Sequence, residues 1–411
     1  MAYVSGMTLR TSISRRNLLV AGGVGAGAAT LAACGAGTTS TSTETSATAS
    51  ATAGEASATP TPEPSVSDLS DSEKVIFFSN WPQYIDVSKK NPTTLGDFIS
   101  STGIDVVYTD DINDSNEFYA KVRTNLEQGR SIDRDIVVLT EEGVELFIDS
   151  GFAAPLNKEL IPNWVNLLPS LKDVPFDPGR EYSLPWQSGF TGIGWNTPLL
   201  ERELGVKKIT SLDQFFDPKL KGRITILTEM QDSMGLVLNW LGYDMANFTQ
   251  EQFDEALEVL VQKVDEGFIR QVTGNDYIAA LDSGDAIASI GWSGDVIALG
   301  KKFGFSIPDS GGMLWADNML IPSVATHKSN AEKLMNYYYD PVVAARLAEW
   351  VQYVCPVVGA QEAMADVDPD LVEDPWIFPT PELLATVSEF MTLGVETRMA
   401  YDRQFQKAVN M

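Results

Sequence analysis

The chain has 411 residues, with 29 Lys and Arg against 56 Asp and Glu and a formal net charge of −27. The length predicts about two lobes, and the acidity argues against a nucleic-acid-binding protein, which needs a basic face for the phosphate backbone. The single histidine and the two cysteines exclude a zinc site built from several His or Cys ligands. A Ser-His-Asp triad would depend on His327 alone, and no nucleophile-elbow motif accompanies it. Binding is therefore a simpler expectation than catalysis, and we expect neither a metal nor a cofactor.

Residues 1–33 have the features of an export signal. They include basic residues but no acid, and Ser14–Leu19 fits a twin-arginine signal, although an arginine pair also occurs in general secretory signals. The apolar stretch Leu18–Leu31 has the length of a signal core and is too short to span a bilayer. It ends in Leu-Ala-Ala-Cys at Cys34, which is typical of a bacterial lipobox whose cysteine carries the lipid. The alternative is an ordinary secretory signal with a chance cysteine.

Residues 34–73 form the next unit and are predicted to be a disordered tether. They are mostly Ser, Thr, Ala, Gly and Pro with scattered acids, and they contain no aromatic residue and no Lys or Arg. Such a segment cannot bury enough apolar surface to offset the entropy of ordering it. If Cys34 carries lipid, Cys355 has no disulfide partner and is expected to be a small buried residue.

From residue 74 onward, short apolar runs alternate with helical patterns, which predicts an α/β fold with mainly parallel sheets. The predicted strands are Lys74–Ser79, Ile104–Thr109, Asp135–Leu139, Arg223–Leu227, Ala286–Trp292 and Asn318–Pro322. The predicted helices are Thr94–Ser101, Asn116–Gln128, Glu141–Ser150, Asp232–Met245, Gln250–Val264, Asn330–Tyr339, Pro341–Val351, Pro381–Gly394 and Glu396–Ala408.

The residues that follow the predicted strands are mainly aromatic or acidic. In open α/β sheets the ligand lies outside the carboxyl ends of the strands. Aromatic faces attract cations by about 0.5–2 kcal/mol each and cover methylene chains, and carboxylates pair with ammonium groups. The combination indicates a site for a long aliphatic cation. Its residues are Trp81–Tyr84, Thr140–Glu142, Glu229 and Asp232, which follow predicted strands, Trp292, which ends one, and Trp315–Asp317, which precede the strand predicted at Asn318–Pro322.

Each of these features also has a purely structural interpretation. Any single Trp can be a core residue. Glu229 and Asp232 are three residues apart at a helix start, where acids cap free N–H groups and meet the helix dipole. Glu141 and Glu142 can form a solvated first helical turn.

The chain from about Val75 onward resembles the spermidine/putrescine-binding lipoproteins of ABC importers. The segments that carry the resemblance are Phe78–Tyr84, Asp135–Val138, Pro175–Pro178, Glu181–Pro185, Gly192–Asn196, Leu241–Tyr243, Gly311–Asp317 and Ile321–Pro322. The resemblance implies a two-lobed, periplasmic-binding-protein-like type II fold, in which each lobe is a mainly parallel sheet flanked by helices and the ligand cleft lies between the lobes. On this basis residues 74–188 plus 316–362 are expected to form lobe 1, and residues 189–315 plus 363–411 lobe 2.

The same resemblance implies roles for individual residues. Trp81 and Tyr84 would wall one side of the cleft, and Trp292 and Trp315 would stack on the aliphatic chain. Asp317 would pair with an amine near the middle of the ligand. Glu229 and Asp232 would hold a terminal amine. Thr140 would contribute a hydroxyl contact, and Tyr353 would be an aromatic residue near the hinge.

Three positions depart from the family pattern. Pro82 replaces a polar residue, Glu142 stands where an aromatic is expected and either adds a carboxylate or points to solvent, and Met391 stands where a Gln would reach a terminal amine. The alignment near Glu229 also needs a gap of one residue, so Met230 is an alternative occupant of an acidic position.

The leading hypothesis is a monomeric, lipid-anchored receptor that captures a polyamine and delivers it to a membrane-embedded ABC permease. A receptor for a sugar or another organic cation is the main alternative, because Trp platforms with Asp and Glu also bind hydroxyl groups. A two-carboxylate glycosidase and a surface adhesin are further alternatives, but no acid stands in a recognisable catalytic motif.

Overall fold

The computed structural model describes residues 66–86 and 93–409. The predicted signal, the lipidation site Cys34 and tether residues 34–65 lie outside this range. Among the described helices, none combines the length and apolar composition needed to cross a membrane. Cys355 is buried, and burial raises the pKa of its thiol to about 12.

The described part of the chain contains strands β1 Val75–Ser79, β2 Asp105–Thr109, β3 Ile136–Leu139, β4 Ser183–Asn196, β5 Ile224–Leu227, β6 Ile269–Thr273, β7 Ala288–Trp292, β8 Phe303–Ser306, β9 Gly312–Leu320 and β10 Val387–Ser388. β3, β4, β5 and β7 are buried along their whole length. This burial on both faces explains why they are continuous apolar or small-residue runs rather than alternating ones.

The helices are α1 Thr94–Thr102, α2 Ser115–Glu127, α3 Glu141–Asp149, α4 Thr197–Leu204, α5 Leu212–Phe215, α6 Met230–Trp240, α7 Gln250–Asp265, α8 Tyr277–Ser283, α9 Ser293–Ala298, α10 Lys328–Tyr338, α11 Pro341–Val351, α12 Ala360–Val367, α13 Pro381–Leu384 and α14 Val395–Val409. Side chains mark several starts: Asp114, Thr140 and Thr249 accept hydrogen bonds from the first-turn amides of α2, α3 and α7.

The strands lie in the order β2-β1-β3-β9-β4-β7-β5-β6, with β10 beside β9 and β8 beside β4. Strands β2, β1 and β3 are parallel and form the sheet of lobe 1. Strands β7, β5 and β6 are also parallel and form the sheet of lobe 2. The long strands β4 and β9 run antiparallel between the two groups and join them.

The predicted lobe boundaries can be located on this ladder. In the β4–β9 pair, Ser188 is opposite Ala316 and Gly189 is opposite Trp315. The predicted boundaries at 188/189 and 315/316 therefore lie side by side, between these two residue pairs. The boundary predicted at 362/363 is wrong in detail, because it falls inside α12, which packs as one unit against α11.

Two predicted elements differ from the structure. The predicted helix Pro381–Gly394 is only the short α13, because β10 then pairs in parallel with residues 312–313 of β9. The predicted strand Asn318–Pro322 is the end of β9, which begins earlier, at Gly312. In both cases strand pairing, a long-range contact, overrides the local pattern.

The last part of the predicted tether is not free. Residues 66–73, the N-terminal clasp, lie against the start of α10. Leu69 N donates to Thr326 O at 2.7 Å, and Asp68 Oδ2 accepts from Ser329 N at 3.1 Å. The Glu73 carboxylate and His327 Nε2 are 3.0 Å apart. The prediction of a tether over residues 34–73 is therefore wrong for this segment, because its polar side chains have specific partners on lobe 1.

Replacing Glu73 with Gln should destabilise the fold only at acidic pH. Burial lowers the pKa of His327, but Glu73 and Asp135 together outweigh this and raise it. A raised histidine pKa stabilises the folded state below the unfolded value of about 6.5, and the effect is lost as pH rises through the folded pKa. Because Glu73 is 53% exposed, we expect a loss of about 0.5–1 kcal/mol at pH 5.5 and none at pH 8.5, measured by urea unfolding. The control is Asp71→Asn, which makes the same change of charge at an exposed residue of the clasp. Equal losses of stability in Glu73→Gln at both pH values would contradict the prediction.

Candidate functional site

One cavity between the lobes is lined by all ten residues predicted to bind ligand. They are Trp81, Tyr84, Thr140, Glu142, Glu229, Asp232, Trp292, Trp315, Asp317 and Tyr353. The cavity, which we call the slot, has a volume of about 560 Å³, including the space at its open mouth.

Lobe 1 supplies side chains from the carboxyl ends of β1 and β3, which meet at one edge of the sheet because these strands are parallel. Trp81 and Tyr84 follow β1, and both are buried. Thr140 follows β3 and caps α3 by accepting a hydrogen bond from Gly143 N. Glu142, in the first turn of α3, is only 5% exposed. The interpretation of Glu142 as a solvated residue is therefore wrong.

Strand β9 supplies Met313, Trp315 and Asp317 to the cavity. These residues alternate along one strand, so they share one face of the sheet. The expectation that Trp315 and Asp317 precede a strand is wrong, because β9 runs through both positions.

In lobe 2, Glu229 and Asp232 stand at the start of α6, after β5. The N-cap interpretation is wrong for Glu229, because its side chain makes no cap hydrogen bond. Its Oε1 instead accepts from Ser115 N at 3.0 Å. Asp232 Oδ1 accepts from the Thr191 hydroxyl and, at 3.0 Å, from Trp292 Nε1. Both carboxylates are buried and line the cavity.

The structure adds two polar residues that the sequence analysis did not identify, Asn275 and Asp295. Asp295 lies in the first turn of α9, three residues after Trp292, and its Oδ2 accepts from Asn275 Nδ2 and from the Tyr277 hydroxyl, each at 3.0 Å. An acid three residues after the Trp that ends β7 was a visible signal for Asp295. Asn275 follows β6, which had not been predicted as a strand.

Five aromatic rings form a continuous line along the cavity. In the order Tyr84, Tyr353, Trp315, Trp292 and Trp81, successive ring centroids are 5.1, 5.6, 6.3 and 5.8 Å apart. The rings meet edge to face, the arrangement that aromatic pairs prefer. They present an apolar wall that suits a methylene chain.

Five buried carboxylates, Glu142, Glu229, Asp232, Asp295 and Asp317, line the slot and act on one another electrostatically. After burial, Asp114, Glu142 and Asp232 raise the pKa of Glu229, and Asp232 and Asp295 raise that of Asp317. Burial, the main cause, raises the pKa of Asp232 and of Asp295 to about 6 and that of Asp317 to about 7. Burial also raises the pKa values of Glu142 and Glu229 well above the usual range. No Lys, Arg or His is among the described residues that line the cavity.

The lobes also contact each other directly beside the cavity. A loop before α2 in lobe 1 meets the ends of β5 and β6 in lobe 2. The contacts are Ser115 N to Glu229 Oε1 at 3.0 Å, Thr228 Oγ1 to Asp114 Oδ2 at 2.8 Å, and Asn275 N to Asn113 Oδ1 at 3.1 Å. These hydrogen bonds join lobe 1 to lobe 2 beside the cavity.

The positions that depart from the family pattern, and the alternative position Met230, lie in different places relative to the cavity. Pro82 lines the cavity. Met391 is not among the lining residues and packs against the hydrophobic core. Met230 is fully buried and does not line the cavity, so Glu229 rather than Met230 presents its side chain to the slot.

Comparisons with known proteins agree with this architecture. The family described as bacterial extracellular solute-binding protein matches residues 93–380. The chain is 31% identical over 350 residues to the putrescine-binding periplasmic protein of Escherichia coli K12, covering 81% of this chain and 90% of that protein. It is 26% identical over 345 residues to the spermidine/putrescine-binding periplasmic protein of the same organism, covering 82% and 92%.

A solved structure with the same fold is the spermidine/putrescine ABC transporter substrate-binding protein of Streptococcus pneumoniae. It superimposes with a TM-score of 0.64 at 23% identity, over 82% of this chain and 98% of that one. The match to the family over more than half of the chain, and the coverage of the relatives, lead to one assignment: this chain belongs to the bacterial extracellular solute-binding proteins.

Proposed function

We propose that this protein is the receptor of an ABC importer and captures a linear polyamine, of the putrescine and spermidine class, in the slot between its lobes. The observation that carries the proposal is that five buried carboxylates, Glu142, Glu229, Asp232, Asp317 and Asp295, line the same cavity as five aromatic rings.

Buried charges are costly unless they are paired. These carboxylates have no basic neighbour among the described residues that line the slot. A ligand that carries several positive charges along one chain would therefore match them. The methylene segments between the ligand's ammonium groups would lie on Trp292 and Trp315, where cation–π attraction and apolar contact both contribute.

The ligand would act by stabilising the closed form. Acids from lobe 1 and lobe 2 face each other across the slot, so the empty cleft favours opening, and a polycation that bridges them favours closure. The permease would then recognise the closed pair of lobes. This role requires no catalytic residue, and the site residues named above are ligand contacts in the proposal.

The relatives named above, which are described as putrescine- or spermidine/putrescine-binding periplasmic proteins, support an extracytoplasmic location and this ligand class. The proposal includes export by the signal at 1–33, anchoring through lipid on Cys34, and action as a monomer.

Calorimetry at pH 7.5 with putrescine, spermidine and the neutral sugar maltose tests the function. We expect both polyamines to bind and maltose to give no heat. Binding of maltose without binding of either polyamine would replace the polyamine proposal with the sugar alternative.

The same titrations should become weaker at acidic pH. Because Asp232 and Asp295 have pKa values of about 6 and Asp317 of about 7 in the empty protein, a cation must displace their protons at pH 5.5. We expect affinity for putrescine to fall on the order of tenfold or more between pH 8 and pH 5.5, with proton release detected in buffers of different ionisation enthalpy. The stability of the empty protein should change in the opposite direction and fall as pH rises. Raised carboxyl pKa values make the folded state less stable as pH rises through them. An affinity independent of pH would contradict the carboxylate assignment.

A further inference from the structure

The C-terminal helix α14 belongs to lobe 2 by its packing. It lies against α6 and α7, and the Tyr401 ring stacks on Phe253 of α7 with the ring centroids 3.9 Å apart. The segment before the helix is held by the same lobe, because Met391 N donates to the Met245 carbonyl oxygen at 2.9 Å. We therefore expect α14 to move with lobe 2 when the cleft opens and closes.

One side chain of this helix reaches lobe 1. The Arg398 guanidinium forms an ion pair with the carboxylate of Glu145 on α3, and it also donates to the Leu393 carbonyl at 3.0 Å. The side chain of Arg398 is only 8% exposed and that of Glu145 only 13%. Among the ion pairs that the described residues form, this one alone joins the two predicted lobes.

Burial decides how much this ion pair matters. An exposed ion pair contributes little, because water and salt screen it. Removing one partner of a buried pair is costly, because the remaining charge then lies in a low-dielectric environment without compensation. In an open cleft the two side chains would separate and regain water, so this cost falls on the closed form. The closed form therefore depends on the presence of both partners.

Helix α3 connects the ion pair to the slot. Glu142, which lines the slot, precedes Glu145 by three residues, so the two are neighbours on one face of the helix. Neither Arg398 nor Glu145 is itself among the residues that line the slot. The pair therefore holds the first turns of α3 against lobe 2 without contacting a ligand.

We propose that Arg398 and Glu145 are positioning residues for ligand capture, because their ion pair ties α14 of lobe 2 to α3 of lobe 1 in the closed form. The proposal rests on the proposed function and identifies two residues outside the slot that set how long a ligand is held. Since the tie contacts no ligand, it strengthens the binding of every ligand of the slot by the same factor.

Substituting each partner with Met tests the tie, because Met is unbranched, apolar and a good helix former. Calorimetry at pH 7.5 should show that Arg398→Met and Glu145→Met each weaken putrescine and spermidine on the order of 30-fold, by the same factor for the two ligands. Stopped-flow fluorescence should assign the loss to faster dissociation. The double variant should bind within about fivefold of the wild type, because it leaves no buried charge unpaired.

The matched control is Arg346→Met. Arg346 on α11 forms an ion pair with Asp97 on α1 at 2.7 Å, and both helices belong to predicted lobe 1. The same substitution therefore removes an ion pair within one lobe, and we expect the affinity to stay within about twofold of the wild type.

The outcomes separate this proposal from the function itself. Variants that unfold at lower urea concentration yet bind with wild-type affinity, or losses that simply add in the double variant, would overturn the tie and leave polyamine capture in place. Losses that differ between putrescine and spermidine would also overturn it. Failure of both polyamines to bind the wild type would overturn the function and the tie together. If Arg398→Met folds poorly, Glu145→Met tests the same pair from the other lobe.

Discussion

Replacing Gly274 with Ala is expected to weaken putrescine binding on the order of 100-fold or more, which is the largest effect we expect from a single substitution. Gly274 follows β6 in lobe 2, and a Cβ at this position would lie 2.1 Å from the Asn113 carbonyl oxygen of lobe 1. The added methyl would therefore collide with backbone across the cleft and hold the lobes apart. Asn113 cannot yield easily, because its side chain also accepts a hydrogen bond from Asn275 N.

Small-angle scattering distinguishes this effect from simple misfolding. The wild type should become more compact on adding putrescine, whereas Gly274→Ala should keep the dimensions of the empty form at the same ligand concentration. The matched control is Gly394→Ala, because a Cβ at Gly394 would meet nothing within 4 Å. Wild-type affinity in Gly274→Ala would show that the Asn113–Gly274 contact is not part of the ligand-bound form.

Asp317→Asn is expected to weaken putrescine and spermidine by one to two orders of magnitude, or about 1.5–3 kcal/mol. Asp317 lies on β9, is buried and lines the slot, so its charge can reach an amine bound there. Asn has nearly the same shape as Asp and carries no charge. The change therefore removes the charge and little else.

Calorimetry on the purified variant measures this loss, with Asp366→Asn as the control. Asp366 is an exposed residue of α12, so its substitution changes the net charge equally without touching the slot. We expect the control to bind within about twofold of the wild type. An unchanged affinity in Asp317→Asn would show that this carboxylate does not contact the ligand.

Much of the site could be found from the sequence because parallel strands end at a common edge. The short buried runs before Trp81, Thr140 and Glu229 were recognisable as strands, and each observed strand starts within two residues of the predicted one. The residues after them could therefore be grouped without knowing the strand order. The resemblance to polyamine receptors then added Tyr353, which no strand-end argument selects.

Other features depended on contacts between distant parts of the chain. Trp315 and Asp317 reach the slot because β9 pairs with both β3 and β4, and pairing of this kind leaves no local pattern. The helix predicted over Pro381–Gly394 failed for the same reason. The clasp at 66–73 has the composition of a linker, and only its partners on lobe 1 order it.

The chain's own pattern determined an acidic α/β protein whose strand ends carry aromatic and acidic residues, because strand periodicity, apolar burial and composition are local properties. The tertiary structure alone decided which acids are buried and which have partners. Glu142 has the sequence context of a solvated helix start, yet it is buried, and neither of its oxygens has a hydrogen-bond partner in the described part of the chain. Burial and pairing depend on what the rest of the chain places around a residue, and for this protein that difference separates a surface charge from a ligand-binding one.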